Sequence, residues 1–289
     1  MAFLTAPPRI VRSGAFSRDR IPSPFLPQEP LHIALTRAVS RSIVDCQLTH
    51  VTRIPIDVAR ARAQHEQYEL ALERSGCTLV RLGELPDAPD AVFVEDTAIV
   101  LDEVAVLMRP GAEPRRREVE SMAAALVAYR PLLRITEPGT LDGGDVLRLG
   151  RTLYVGLTSR TNEAGIAQLR AAVAPYGYAV RGVLVSGALH LKTAVTQVSA
   201  EQILVNPDWV DPKTLEGFAP IAIDPDEPFS ANAVLLDGGV IHSTAFPRTQ
   251  AILVHHGIVV FGVDASELAK AEGGVTCCSL LVRANPSAA

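Results

Sequence analysis

Three short stretches of this chain carry residue types that can do chemistry together. The first is Gly273-Gly274-Val275-Thr276-Cys277-Cys278. A thiol at a loop-to-strand junction is placed to act as a nucleophile, and paired glycines before it allow close backbone approach and unusual dihedrals. Most cysteines, by contrast, are buried small hydrophobes. Alternation along a last strand over 278–282 turns Cys277 and Cys278 to opposite faces, so only one of them faces a site. The second stretch is Ser186-Gly187-Ala188-Leu189-His190-Leu191-Lys192, in which His190 opens a strand after a glycine turn. A lone histidine usually completes a structural hydrogen bond; paired with a thiol it serves as general acid or base near neutral pH. The third is a set of acids at loop-strand junctions: Asp90, Glu95 and Asp96, then Asp142 and Asp145 bracketing Gly143-Gly144. Acids at strand edges ordinarily solvate an exposed face. Several carboxylates buried together are costly unless a cation compensates. A guanidinium, planar with five N–H donors, suits converging carboxylates, so the acids point to an arginine-like substrate.

A repeated theme of two strands and a helix must position these groups. Order begins at a strand-like run over 33–39. The clearest copy has strands over 91–100 and 104–108, then a helix from about 116 to 128 with Val119, Met122, Ala123, Leu126 and Val127 on one face. The next has strands over 144–149 and 153–156 and a helix presenting Ile166, Leu169 and Val173. A third starts near His190, and a fourth near Ala231 with the turn Asp237-Gly238-Gly239. The copies recur roughly every 40 to 50 residues, within the range of blades or solenoid units. Two carry a matching element after the second strand, Pro114-Arg115-Arg116-Arg117-Glu118 and Ser159-Arg160-Thr161-Asn162-Glu163, and Phe246-Pro247-Arg248-Thr249 is related to them. Such self-similarity predicts an α/β fold of pseudo-symmetric blades around a central axis, with a site where loops converge. Alternating strands and helices also build an ordinary doubly wound sheet, the competing architecture.

Bulk properties narrow the partners. With 289 residues, 48% hydrophobic and 20% charged, the chain can bury a sizeable globular core. A net charge of −5 gives no support for a nucleic-acid or anionic-membrane partner and is compatible with a cationic small substrate. No apolar run approaches the ~20 residues that span a bilayer. Residues 1–30 lack the apolar stretch of a signal peptide. They bear arginines and almost no acids up to Asp19, as transit peptides do, and read as a flexible tail before a catalytic domain over 31–289. Cys46, Cys77, Cys277 and Cys278 read as reduced thiols in a cytoplasmic setting, and no CxxC or His-x-x-x-His spacing suggests a metal site.

Phe93-Val94-Glu95-Asp96, Arg109-Pro110-Gly111-Ala112, Leu141-Asp142-Gly143-Gly144-Asp145, Arg160-Thr161-Asn162, Leu189-His190-Leu191-Lys192 and Gly273-Gly274-Val275-Thr276-Cys277 occur together and in order. On these motifs, over about residues 33–283, the chain resembles the dimethylarginine dimethylaminohydrolase (dimethylargininase) family of the amidinotransferase-like, or pentein, superfamily. The resemblance implies a single-domain, five-bladed α/β propeller of ββαβ units. It also implies hydrolysis of an Nω-methylated L-arginine to L-citrulline and an amine through a covalent thiouronium intermediate. Cys277 then matches the nucleophile, His190 the proton donor and base, and Asp142 the carboxylate that assists His190. Asp90, Glu95 and Asp96 match the acids around the guanidinium, and Arg115 and Arg160 the pair that receives the α-carboxylate. Ala271 matches a position whose backbone carbonyl meets the α-amino group, and Leu48 a residue of a mobile loop over the site. No metal or organic cofactor is implied. The partner is a small guanidinium compound, and a homodimer is compatible with the sequence. The proline-rich start and the segment 42–55 depart from the family pattern. Two rival readings are an arginine deiminase or other guanidine-modifying hydrolase, whose inserted helical region is not found here, and a non-catalytic propeller that binds arginine analogues. The latter need not keep Cys277, His190 and Asp142 together.

Overall fold

Short runs rich in valine, leucine and isoleucine pair into five separate sheets of three strands each, which rules out a single doubly wound sheet. The computed structural model describes residues 32–283; the tail expected over 1–30 lies outside the described residues. In chain order the elements are β1 (His32–Arg37), α1 (Val58–Arg74), β2 (Cys77–Leu82), β3 (Ala98–Val100), β4 (Ala105–Leu107), α2 (Glu118–Leu126), β5 (Leu132–Arg134), β6 (Val146–Leu149), β7 (Thr152–Leu157), α3 (Glu163–Val173) and β8 (Ala179–Leu184). Then follow α4 (Leu191–Ala194), β9 (Val195–Gln197), β10 (Gln202–Val205), β11 (Ala219–Ala222), β12 (Ala233–Leu236), β13 (Gly239–Ser243), α5 (Pro247–His255), β14 (Val260–Val263), α6 (Ser266–Ala269) and β15 (Leu280–Arg283).

Each sheet obeys one rule. The first strand runs antiparallel to the middle strand, and the middle strand runs parallel to the third. A parallel step needs a crossover, and α1, α2, α3 and α5 supply it in four blades; the fourth blade crosses with only a 3-10 turn, Pro212–Thr214. One blade joins β15, from the far end of the described chain, to β1 and β2, so the ring is closed by strands that are distant in sequence. The result is a five-bladed α/β propeller. Its apolar side chains form clusters within and between neighbouring blades, for instance Leu35, Leu107, Met122, Leu126 and Val282 between the first two. Among the described residues no helix is long and apolar enough to cross a membrane.

Several expected strands are shorter than the sequence suggests, among them 144–149, which begins only at Val146 after a 3-10 turn over Gly143–Asp145, and three further shortfalls lie at chemistry-bearing residues. Of the run 91–100 only β3 is strand; Val94–Thr97 forms a 3-10 turn. Its apolar residues are buried (Val92 2%, Val94 0% exposed) without belonging to a sheet. His190 does not open a strand but precedes α4 in extended conformation. Cys277 and Cys278 sit in a 3-10 turn, Thr276–Cys278, before β15 begins. Turns aim side chains into the centre of the ring, where strands would aim them alternately into the blade faces.

Candidate active site

Local chemistry explains why the turns form where they do. Asp142 is brought beside the first acid turn by a bridge in which Leu141 N–H donates to the Arg109 carbonyl at 2.9 Å. Gly144 follows because a Cβ there would lie 2.7 Å from both Asp96 Oδ1 and His190 Nδ1. Its bare N–H donates to Asp96 Oδ1 at 2.9 Å. Gly273 and Gly274 serve close packing, not unusual dihedrals. A Cβ on Gly273 would meet the Phe93 ring at 2.1 Å, and one on Gly274 would meet Asn232 Oδ1 at 2.4 Å. The left-handed backbone in this turn falls on Glu272 instead, at φ 60°.

These turns converge on one small cavity of about 20 Å³, lined by Gln47, Asp90, Phe93, Asp96, Arg115, Arg160, Leu189, His190, Ala271, Glu272, Gly273 and Cys277. That volume holds roughly one water, so a ligand of amino-acid size enters only if the covering segment moves. Gln47 and its successors form that cover. Gln47 N–H donates to Asp90 Oδ1 at 3.1 Å. The amides of Thr49, His50 and Val51 all donate to the Glu272 carboxylate, at 2.9 Å for Thr49 and 2.8 Å for Val51. Leu48, the residue singled out from sequence, instead packs half-buried against the apolar cluster that contains Phe93, Ala271 and Cys278.

The charged groups interlock. His190 Nε2 lies 3.0 Å from Asp142 Oδ2, and its Nδ1 is 3.8 Å from Asp96 Oδ1. Asp142 is fully buried and its other oxygen accepts from Gly111 N at 2.8 Å. Burial opposes the imidazolium, yet Asp96, Asp142 and Asp145 outweigh it and push His190 up to about 9. In the same way burial opposes the Asp96 carboxylate, but His190 and Arg115 hold it well below its ordinary value. Burial raises Asp90, against the pull of Arg115. Burial, followed by the negative charge of Glu95 and Asp96, pushes the Cys277 thiol up to about 12, although Gly274 N–H donates to Sγ at 3.3 Å. Among these groups of the protein Cys277 is therefore a neutral thiol at neutral pH.

The acids divide. Asp90 and Asp96 line the cavity, whereas Glu95 lies behind it, 2.5 Å from Lys192 Nζ and accepting from Thr276 Oγ1 at 2.7 Å. Asn232 fixes that threonine from both sides, accepting from its N–H and donating to its hydroxyl, each at 3.0 Å. Asp145 turns away from the cavity altogether. The two arginines expected to act as a pair are not equivalent. Arg115 is bound by Asp96, by Glu118 at 2.9 Å and by the carbonyls of Asp90 and Phe93. Arg160 has only Thr49 Oγ1 at 3.2 Å and Asp142 at 3.9 Å. The related Arg248 lies on the surface with Asp226. Cys278 is 1% exposed in the core and donates weakly to the Gly274 carbonyl. The two thiols are thus separated by a turn, not by strand alternation. Sequence reasoning missed Gln47, Leu189 and Glu272 as lining residues, and Lys192, Thr276 and Asn232 as supports; of these only Leu189, Lys192 and Thr276 lay inside motifs it had picked out. Asp96, Asp142 and His190 also bring three potential metal-ligand atoms together; Asp142 bonds His190, while Asp96 bonds Arg115 and the Gly144 N–H.

Comparison with known proteins follows the same lines. The arginine deiminase family model matches residues 83–226. The chain is 39% identical over 257 residues to an N(G),N(G)-dimethylarginine dimethylaminohydrolase of Streptomyces coelicolor, covering 88% of this chain and 98% of that one. It is 33% identical to the enzyme of that name from Pseudomonas aeruginosa, over 85% of this chain and 97% of the relative. Among solved structures, a cysteine-to-serine mutant of the Pseudomonas aeruginosa protein complexed with citrulline superposes with a TM-score of 0.83 at 33% identity, over 86% of this chain and 98% of that one. The N-terminal domain of the cyanobacterial arginine dihydrolase ArgZ shares the fold, with a TM-score of 0.77 at 19% identity.

Proposed function

The chain belongs to the dimethylarginine dimethylaminohydrolase family, and from that premise we propose that it hydrolyses an Nω-methylated L-arginine to L-citrulline and methylamine or dimethylamine. The observation that carries this reading is the convergence of Cys277, His190, Asp90 and Asp96 on one cavity, with the thiol held neutral by burial and then by the negative charge of Glu95 and Asp96.

A guanidinium set against Asp96, with Glu95 behind, supplies the missing positive charge. It removes the electrostatic reason for the high thiol pKa, and the Cys277 proton leaves as the substrate binds. The thiolate attacks the guanidinium carbon and an S–C bond forms. His190, protonated at neutral pH, gives its proton to the substituted nitrogen; the C–N bond breaks and the amine departs, leaving an S-alkylthiouronium on Cys277. Neutral His190 then takes a proton from water, the hydroxide oxygen bonds to the same carbon, and the C–S bond breaks to release citrulline and the thiolate. Asp142 steadies the imidazolium in both half-reactions. Arg160, the less committed arginine, receives the α-carboxylate; Arg115 holds Asp96 in place beside it, and the Ala271 carbonyl and the loop around Leu48 meet the α-amino end. Four unpaired thiols suit a reducing compartment such as the cytoplasm.

The test is incubation with dimethyl-, monomethyl- and unsubstituted L-arginine, with identification of the released amine. Citrulline with dimethylamine or methylamine is expected. Faster release of ammonia from arginine would replace this reading by a deiminase one, and no turnover of any guanidine by a protein that still binds citrulline would leave a binding propeller.

A further inference from the structure

The stretch Leu141-Asp142-Gly143-Gly144-Asp145 carries two acids, and only Asp142 is used by the chemistry above. Asp145 is fully buried and does not line the cavity. We propose that Asp145 is a positioning residue whose single carboxylate holds His190 and Arg160 in register with each other. The proposal rests on the functional reading for what those two residues do, but not for where they sit.

The contacts are few and all point one way. Oδ1 accepts from the Leu191 N–H at 3.0 Å, one residue beyond His190, and so fixes the start of α4 from outside its own helix. Oδ2 accepts from the hydroxyls of Thr158 and Thr161, each at 2.6 Å. These threonines flank Arg160, and Arg160 N–H donates back to Thr158 Oγ1 at 3.2 Å. One carboxylate therefore bonds the segment that carries the acid/base and the segment that carries the cation for the substrate's far end. Those segments belong to different blades; Asp142 also lies between their side chains, 3.0 Å from His190 Nε2 and 3.9 Å from Arg160 Nη1, whereas Asp145 bonds the backbone at Leu191 and the threonines that flank Arg160. A buried carboxylate opposes folding unless donors compensate, and burial pushes Asp145 up to about 6 in spite of His190 and the two hydroxyls. Retaining a costly charge at a place that touches no substrate is explained by the three donors it alone can satisfy. The same charge faces His190 and adds to the acids that raise it.

The distance between the guanidinium carbon and the α-carboxylate is set by the substrate. A shift of one segment against the other therefore weakens chemistry and binding together. In Asp145→Asn the single amide oxygen cannot accept from the threonines and from the Leu191 N–H at once, so KM for dimethyl-L-arginine is expected to rise and kcat to fall, with kcat/KM down roughly 10- to 100-fold. Thr161→Val cuts only the Arg160 arm: KM should rise for the amino acid and much less for its decarboxylated counterpart, with a smaller change in kcat. Histidine NMR, with the His190 signal assigned by its loss in His190→Gln, should show His190 titrating lower in Asp145→Asn than in the parent. That arm needs no turnover, so an inactive parent protein would refute the functional reading while leaving the positioning role decided by the titration. A folded Asp145→Asn protein with parental kcat and KM, or an unmoved His190 titration, overturns the proposal. Should Asp145→Asn fail to fold, Thr158→Val and Thr161→Val decide: equal losses on the two substrates, or none, would refute it.

Discussion

Glu272 offers the sharpest test of how the site is covered. Its carboxylate accepts three consecutive amides from a segment more than 220 positions away in the chain, and its own backbone sits at φ 60°, a region uncommon for residues other than glycine and costing about 1 kcal/mol. Consider Glu272→Gln. One oxygen and the negative charge are lost, so at least one amide loses its acceptor and the others lose charge assistance. A net hydrogen bond contributes ~0.5–1.5 kcal/mol, and these are only half-buried, so the three together stabilise the covered state by about 2 kcal/mol at the low end of that range. At 1.4 kcal/mol per factor of ten, removing most of it speeds local opening on the order of 10- to 30-fold. Hydrogen exchange of a peptide covering 42–54, read without ligand, should accelerate by that factor while peptides from β7 and β10 stay unchanged. Binding of citrulline should slow the same peptide in the parent protein and slow it less in the variant. Glu272→Gly separates the two ingredients: it relieves the backbone strain, so thermal stability should hold or rise slightly, yet the segment should still be released. Unchanged exchange in both variants would refute the idea that Glu272 fastens the cover.

Further outcomes follow from the same geometry. Cys277→Ser should abolish turnover and keep the fold, because a serine hydroxyl is a much poorer nucleophile; Cys278→Ser should keep most activity and cost about 1 kcal/mol of stability, and an electrophile adduct on Cys278 protected by substrate would reverse that assignment. Arg160→Ala should raise KM for the amino acid far more than for its decarboxylated counterpart, whereas Arg115→Ala should lower the melting temperature strongly, since stripping a partner from buried Asp96 and Glu118 costs about 3–5 kcal/mol; equal thermal effects in the two variants would contradict their different placement. His190 is raised in the fold to about 9 from an ordinary 6.5, so its contribution to stability is fully present below 6.5 and is lost as pH rises through about 9; a pH titration of the melting temperature should fall across that window in the parent and less in His190→Gln.

Sequence was informative where chemistry and tight turns are local. Cys277, His190 and Asp142 stand out because each sits beside glycines or small residues over a few positions, and the blade repeat is visible because strand and helix periods alternate. The expected strands failed at Glu95, His190 and Cys277 for one reason: an apolar run reads as strand whether its burial comes from a sheet or from a packed turn. The equivalence expected of Arg115 and Arg160 failed because the two share a local pattern but not neighbours. Glu118, three residues beyond Arg115, bonds it, whereas the side-chain partners of Arg160 are Thr49 and Asp142 and not Glu163 at the matching position, and Asp96 reaches Arg115 only through the fold. Likewise Asp142 and Asp145 look alike across two glycines, yet Asp142 is extended ahead of the 3-10 turn and Asp145 ends it, so they leave the backbone in different directions. Glu272 and Gln47 were invisible because their partnership exists only after the ring has closed.

The charges of the site, taken together, explain why a guanidinium compound belongs there. Asp90, Glu95, Asp96, Glu118, Asp142 and Asp145 face Lys192, Arg115, Arg160 and His190 across buried contacts. Arg115 is spent on Asp96 and Glu118, and Lys192 on Glu95, so the carboxylates around the cavity outnumber the cations left to serve them. Burial is the largest cause that raises both Asp90 and the Cys277 thiol, and at Cys277 the charges of Glu95 and Asp96 add to it. Positive charge in the cavity offsets that electrostatic part at Cys277. On the proposed reading an L-arginine derivative brings its guanidinium to the acids at the Cys277 end, its carboxylate to Arg160 and its α-amino group to the Ala271 carbonyl. The substrate's own charges thus complement those of the site, and on this reading the nucleophile becomes reactive only when they are in place. A neutral isostere of the substrate, equal in shape but without the guanidinium charge, should accordingly bind weakly and leave the rate of Cys277 alkylation at neutral pH unchanged, whereas a cationic, non-reacting guanidine too short to cover the thiol should accelerate it.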